Sequence, residues 1–205
     1  MVVFYCAVVW CGAVCRFVWR IVVILFIFCG MVAYRRNRLK GGQYFFTVNL
    51  KNRHHSWLTD HIDFLRLAFR RTRKKYPFSI IAIVILPDHL HTIWQLPDDD
   101  DDYSTRWNFL KGQFTSQLKT RINLQKDSRG RYGVWQDRFW EHTIRDNNDL
   151  YRHIDYIHYN PVKHHNCQYV KDWQYSSFHR FVKNKKLPIT WGQDYQETIS
   201  KVGEP

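Results

Sequence analysis

FSIIAIVILPDHLHTIWQL, residues 78–96, reads as two strands and the turn that joins them. Its first half, 78–87, is an almost unbroken run of Ile, Val, Leu and Phe, the composition of a strand with both faces covered. Pro87 and Asp88 then reverse the chain, because proline presets the turn dihedral and aspartate hydrogen-bonds its own backbone. LHTIWQL, 90–96, returns as the antiparallel partner. Two imidazoles interrupt this apolar hairpin. Side chains two apart on a strand point the same way, so His89 and His91 present neighbouring nitrogens on one face while Leu90 faces the other. That arrangement is half of a metal site. The plainer alternative is an exposed edge pair, but a strand this apolar belongs in the middle of a sheet, where unpartnered imidazoles are costly.

Working outward from the hairpin, YFFTVNL (44–50) is rich in aromatic and β-branched residues and reads as a strand. DHIDFLRLAFRRTRKKY (60–76) spaces Ile62, Leu65 and Phe69 as one helix face with a basic back. Five aspartates, 98–102, mark a loop. A helix over 104–121 follows, with Ser104 as its cap, then a strand over 139–146 and a helix over 147–165 with Asn147 to Asp149 as its cap region. The order β-α-β-β-α-β-α predicts an α+β, ferredoxin-like antiparallel sheet with its helices on one face.

The last helix carries a second set of polar groups. At about 100° per residue, Leu150, Ile154 and Ile157 form an apolar stripe that should pack on the sheet. Tyr156 lies to one side of it with Asn160 at i+4 and His153 at i−3, so phenol, carboxamide and imidazole share an edge. Tyr159 is predicted to project away from the core, and Tyr151, on the opposite flank, suits a core or boundary role. Pro161 disfavours helical geometry at Asn160 and predicts a turn or kink there.

Composition restricts the partners. The chain has 205 residues, enough for one domain, with 31 Lys and Arg against 18 Asp and Glu, a formal charge of +13 and 17% aromatic residues. Basic and aromatic together favour nucleic acid over an acidic protein. The cations are scattered from Arg35 to Lys186 instead of lying on one amphipathic helix, so a membrane surface is not the expected partner. Residues 1–30 differ in kind: only Gly12, Arg16, Arg20 and Gly30 fall outside the apolar set. Arg16 and Arg20 would each cost roughly 2.5–3.5 kcal/mol near a bilayer centre. We therefore read 1–30 as an extension upstream of a natural start at Met31, with a membrane anchor as the alternative. The domain proper is expected over 31–195, followed by a tail, 196–205. Outside residues 1–30 the sole cysteine is Cys167, which supports no disulfide framework and fits a reducing cytoplasm.

Three motifs in order, LPDHLHTIW (86–94), WQDRFWEHTIRD (135–146) and YRHIDYIHYNPVKH (151–164), resemble those of the REP-associated tyrosine transposases, a branch of the single-tyrosine HUH transposase-like proteins. The resemblance covers about residues 34–195. It implies a nuclease fold, a divalent Mg²⁺ or Mn²⁺ held by His89 and His91, and a nucleophilic tyrosine, Tyr156, that cleaves single-stranded DNA beside a hairpin through a covalent 5′-phosphotyrosine. Asn160 stands where relatives use a polar third ligand. The implied partner is hairpin-bearing single-stranded DNA of repetitive palindromic elements, and a monomer or homodimer is left open. Phosphate contacts are expected from Arg35, Arg36, Arg38, Lys40, Lys111, Arg138 and Lys163. The aromatic and basic stretch 173–191 reads either as a single-strand binder or as a segment packed on the core. The alternative function is a noncatalytic module that keeps only hairpin binding.

Overall fold

A computed structural model describes residues 36–193. The expected apolar extension (1–30), Arg35 and the tail (196–205) lie outside the described residues. The elements are β1 (Gln43–Asn49), α1 (Trp57–Asp60), α2 (Ile62–Lys75), β2 (Ser79–Ile85), β3 (His89–Gln95), α3 (Tyr103–Leu118), β4 (Trp140–Thr143), α4 (Asn147–Lys163), a 3₁₀ turn (Val170–Asp172) and α5 (Phe178–Lys183). The four strands form one antiparallel sheet in the order β2-β3-β1-β4, the βαββαβ arrangement the pattern implied. Among the described residues no helix is long and apolar enough to cross a membrane.

The hairpin behaves as its residues dictate. Leu86 N–H bonds to His89 C=O at 2.8 Å across the Pro87–Asp88 turn, and β3 lies between β2 and β1 with every position from His89 to Trp94 buried. Strand alternation then divides the core in two. Tyr44, Phe46, Val48, Leu90 and Trp94 meet Leu65 and Phe69 of α2 and Trp107, Leu110 and Phe114 of α3 on one face. Phe45, Ala82, Val84 and Ile93 meet Ile154, Tyr156 and Ile157 of α4 on the other. The ferredoxin-like class therefore holds, but the helices do not share one face. An apolar stripe specifies that a helix is covered and says nothing of which side of the sheet covers it.

Local chemistry explains the remaining differences. α3 is capped by Asp102, whose carboxylate accepts from Thr105 N–H at 3.0 Å, while Ser104 Oγ receives Arg36 instead. Two more aspartates of the run are also engaged: Asp100 bonds the buried Arg106 at 2.7 Å and Asp101 meets Arg38 at 3.3 Å. Asp146 caps α4 through Asp149 N–H at 2.8 Å, and the helix continues through Asn160 and Pro161 to Lys163 without the expected turn. Tyr151 is 62% exposed, contrary to its expected core or boundary role. Tyr159 is half-buried against the α4-side core and lies beside Gly192, so it does not project free of the protein. The 173–178 stretch packs back: Ser177 N–H and Oγ bond Ile83 C=O and N–H, and Trp173 Nε1–H reaches Ile85 C=O, covering the outer edge of β2.

Candidate active site

β3 and α4 bring the two sequence motifs together. The rings of His89 and His91 lie 5.0 Å apart on the α4 side of the sheet, and His91 lies 5.1 Å from the ring of Tyr156. Phe45 fills the space beneath, 5.6 Å from His91 and 5.9 Å from Tyr156. Lys163 Nζ stands 5.1 Å from the Tyr156 ring centroid. One histidine the sequence reading did not single out joins them: the ring of His164 is 5.1 Å from that of His89. It was detectable, since Tyr156, Asn160 and His164 follow one another at i, i+4 and i+8 on a single helix line.

Hydrogen bonding fixes which nitrogen His89 offers and ties His91 through Nδ1. Asp88 Oδ1 lies 2.7 Å from His89 Nδ1, and since a carboxylate only accepts, Nδ1 carries the proton and Nε2 the lone pair. The Arg53 guanidinium nearby is held by Asp88 itself. Asp88 is driven down to about 2: burial alone would raise it, but the bonds from His89 and Arg53 outweigh that. His91 Nδ1 lies 2.9 Å from Thr47 Oγ1. Burial, reinforced by the charges of its neighbours, keeps the His91 imidazole well below its ordinary pKa and therefore neutral at pH 7. His91 Nε2 and both side-chain atoms of Asn160 are buried without a hydrogen-bond partner. Buried polar atoms are seldom left so. Two imidazoles each anchored through Nδ1, with a carboxamide oxygen on the adjoining helix line, are a donor set that fits a hard divalent cation with positions left for phosphate oxygens.

A second cluster lies one helical turn back. His142 Nε2 is 2.8 Å from Asp149 Oδ2, and His153 Nδ1 is 2.8 Å from Asp149 C=O and 3.3 Å from its Oδ1. These three residues place ligand atoms within 4.8 Å of one another. Their partners nevertheless already satisfy them. The carboxylate and the carbonyl accept only, so His142 Nε2 and His153 Nδ1 both carry protons toward Asp149, and Arg145 N–H completes the set at 3.0 Å. The rings of His142 and His153 stack at 4.7 Å, which ties β4 to α4. Glu141, its neighbour on β4, faces the α3 side near Tyr103 and Arg36.

Of the cations expected to meet DNA, Lys163 is at the tyrosine. Arg36 and Lys111 line a separate groove, Arg38 pairs with Asp101 and Asp102, and Lys40 and Arg138 are exposed.

Comparison with known proteins agrees with this fold. The family described as "Transposase IS200 like" matches residues 39–160. A Haemophilus influenzae protein assigned to the REP-associated tyrosine transposases is 52% identical over 165 residues, 79% of this chain and 94% of that protein. The REP-associated tyrosine transposase of Escherichia coli K12 is 46% identical over 164 residues, 80% and 93% of the two chains. A solved REP-associated tyrosine transposase bound to a REP hairpin superposes with a TM-score of 0.74 at 43% identity, covering 85% of this chain and 98% of that one. In motif order, fold and relatives alike, the chain belongs to the IS200-like transposase family, among its REP-associated tyrosine transposases.

Proposed function

We propose that this protein cuts single-stranded DNA beside a hairpin by attack of the Tyr156 hydroxyl on a backbone phosphodiester. The observation that carries this reading is the set of unsatisfied buried donors, His91 Nε2 and the Asn160 amide, on the two elements that meet at Tyr156. The hairpin enters by likeness to the solved relative bound to one. His89, His91 and Asn160 would hold a Mg²⁺ or Mn²⁺, which supplies positive charge to the phosphate oxygens and so lowers the barrier to nucleophilic attack. Tyr156 forms a new O–P bond while the P–O3′ bond breaks. The phenolic proton is lost, the departing 3′-oxygen gains one, and the strand's 5′-phosphate remains on the tyrosine. The phosphotyrosine conserves the energy of the broken bond for rejoining to another 3′-hydroxyl. Asp88 and Thr47 keep the two imidazoles oriented, and Lys163 contributes charge beside the phenol. Because Tyr156 and Asn160 have no solvent exposure, the DNA must part the end of α4 from β3 to reach them.

Incubation of labelled hairpin-bearing single-stranded DNA with the protein and Mg²⁺ or Mn²⁺ should leave an adduct that survives SDS, with the label on the 5′-phosphate side of the cut. Tyr156→Phe should lower adduct formation by about 10³-fold or more, as loss of a nucleophile does, with hairpin binding retained. Tyr159→Phe and Tyr151→Phe are the controls. An adduct that persists in Tyr156→Phe and vanishes in Tyr159→Phe would reassign the nucleophile. Tight binding with no adduct in any form would establish the noncatalytic module.

A further inference from the structure

The segment between α3 and β4 folds back along α3 and leaves a groove of about 430 Å³, within the ~300–1,000 Å³ of clefts that hold small ligands. One wall is cationic. Lys111 of α3 is half-buried, with its Nζ donating to Gln136 C=O at 3.1 Å and lying 5.4 Å from the Phe139 ring and 5.8 Å from that of Trp135. The Arg36 guanidinium covers Phe139 at 4.5 Å. Lys51 and Lys119 line the same groove, Lys119 at 5.7 Å from the ring of Tyr132. The acid in the lining is Asp137, bonded to Arg131 at 2.7 Å. Among the described residues no carboxylate comes within ion-pair distance of Lys51, Lys111 or Lys119. Burial, with repulsion from Arg36, draws the Lys111 pKa down to about 8, and the more distant Asp137 offsets this only in part.

The groove also has a fixed relation to the histidine pair. Gln136 N–H bonds Asn49 C=O at 3.0 Å, and Asn49 is the register partner of His89. Two strand spacings, about 10 Å, therefore separate the groove's rim from the row of His89.

We propose that this groove binds one unpaired nucleotide of the DNA strand that enters the Tyr156 site, its phosphate on Lys111, Lys51 and Lys119 and its base on Tyr132. The inference rests on DNA being the substrate, as proposed above. It adds where the strand runs: past the β4 edge of the sheet and onto the α3 side. Unpaired lysines supply the phosphate site, and the half-buried Tyr132 ring supplies stacking that accepts any base.

The test uses full-length Tyr156→Phe protein, so that the probe is not consumed, and two synthetic hairpins, one with single-stranded flanks and one without. Lys111→Met, which keeps the apolar stem, and Tyr132→Ala should each weaken binding of the flanked probe by about tenfold and leave the flankless hairpin unaffected. Lys111→Met should also reduce the slope of log K against log salt by about one. Lys51→Gln with Lys119→Gln, both exposed and outside the core, should weaken the flanked probe without disturbing the fold. Photo-crosslinking from 5-iodouracil in a flank should label Tyr132. Unchanged affinity for the flanked probe, with crosslinks elsewhere, overturns the groove. If the wild-type protein still forms the SDS-stable adduct in that case, the groove alone falls. If the protein binds neither probe, the DNA reading and the groove fall together.

Discussion

Two histidine clusters sit one helical turn apart on α4, and they differ in what their nitrogens face. Around Asp149 the carboxylate and carbonyl draw their partners from the chain itself: His142, His153 and Arg145 all converge on one residue. Around His91 the imidazoles are held from behind, by Asp88 and Thr47, and His91 Nε2 and both side-chain atoms of Asn160 are buried with no hydrogen-bond partner. Proximity of three ligand-type residues selects the first cluster as a metal site, whereas unsatisfied donors select the second. The difference teaches that a metal site is recognised by lone pairs left over once the protein's own hydrogen bonds are counted, because a closed cluster must break bonds before it can ligate.

The largest effect expected from this contrast is in the response to metal. Adding Mn²⁺ should raise the wild-type melting temperature by several degrees, since a ligand at about 100 times its Kd stabilises by roughly 2.7 kcal/mol. His91→Ala should abolish that rise. His142→Ala should keep it from a lower starting temperature. The opposite pattern, response lost in His142→Ala and kept in His91→Ala, would move the ion to the Asp149 cluster.

Asp149 should matter instead to stability. Asp149→Ala leaves His142 Nε2–H and Arg145 N–H without their acceptor, which should cost about 2–3 kcal/mol and lower the melting temperature by about 5–10 °C. The pH dependence has a definite sign. Burial raises the Asp149 pKa, but the bonds from His142 and Arg145 N–H outweigh it and bring the group to about 2. A carboxylate depressed in this way stabilises the fold above its ordinary pKa near 4, and that contribution is lost as pH falls from there toward 2. His153, kept below its usual value chiefly by burial, also loses stability on acidification, in a window below its ordinary pKa of 6.5. The gap in melting temperature between wild type and Asp149→Ala should therefore narrow between pH 4 and 2. A constant gap would mean that the aspartate acts through packing alone.

How legible these clusters were depends on how local their determinants are. The β2-β3 hairpin and the facing of His89 and His91 follow from turn chemistry and a period of two, both contained in nineteen residues. The edge shared by Tyr156 and Asn160 follows from helical spacing once the helix is granted. His164 was missed because a turn or kink was expected at Asn160 and Pro161, which would take it off the line of Tyr156, whereas the helix runs on to Lys163. Ser104 lost its capping role to Asp102 because the run of five aspartates offers the same chemistry two residues earlier, and Asp102 is the one in register with Thr105 N–H. The side of the sheet that α4 covers is tertiary information, absent from an amphipathic stripe. The groove was beyond reach for the same reason, since Lys51, Lys111, Tyr132 and Phe139 come from separate parts of the chain.

The smallest effect, and the sharpest test of the contrast, compares the two aspartates. Asp88 and Asp149 each hold a histidine N–H at 2.7–2.8 Å, and both are depressed to about 2. By environment alone they are near equivalents. Their roles diverge because the imidazole held by Asp88 offers its other nitrogen to the unsatisfied site, whereas Asp149 is itself the centre of its cluster. Asp88→Asn retains an oxygen that can accept from His89 Nδ1–H but removes the charge that fixes the ring and strengthens its basicity. Loss of such a supporting carboxylate typically weakens metal affinity by about 10–100-fold. With an acceptor retained, the expectation is the lower end, about tenfold in the Mn²⁺ Kd, or about 1.4 kcal/mol. Calorimetric titration of Mn²⁺ into the two variants should show that loss in Asp88→Asn, while Asp149→Ala binds as wild type at a temperature where both are folded. Equal losses in the two variants would mean that the clusters act as one electrostatic unit across the helical turn between them, and the distinction between open and closed sites would fail.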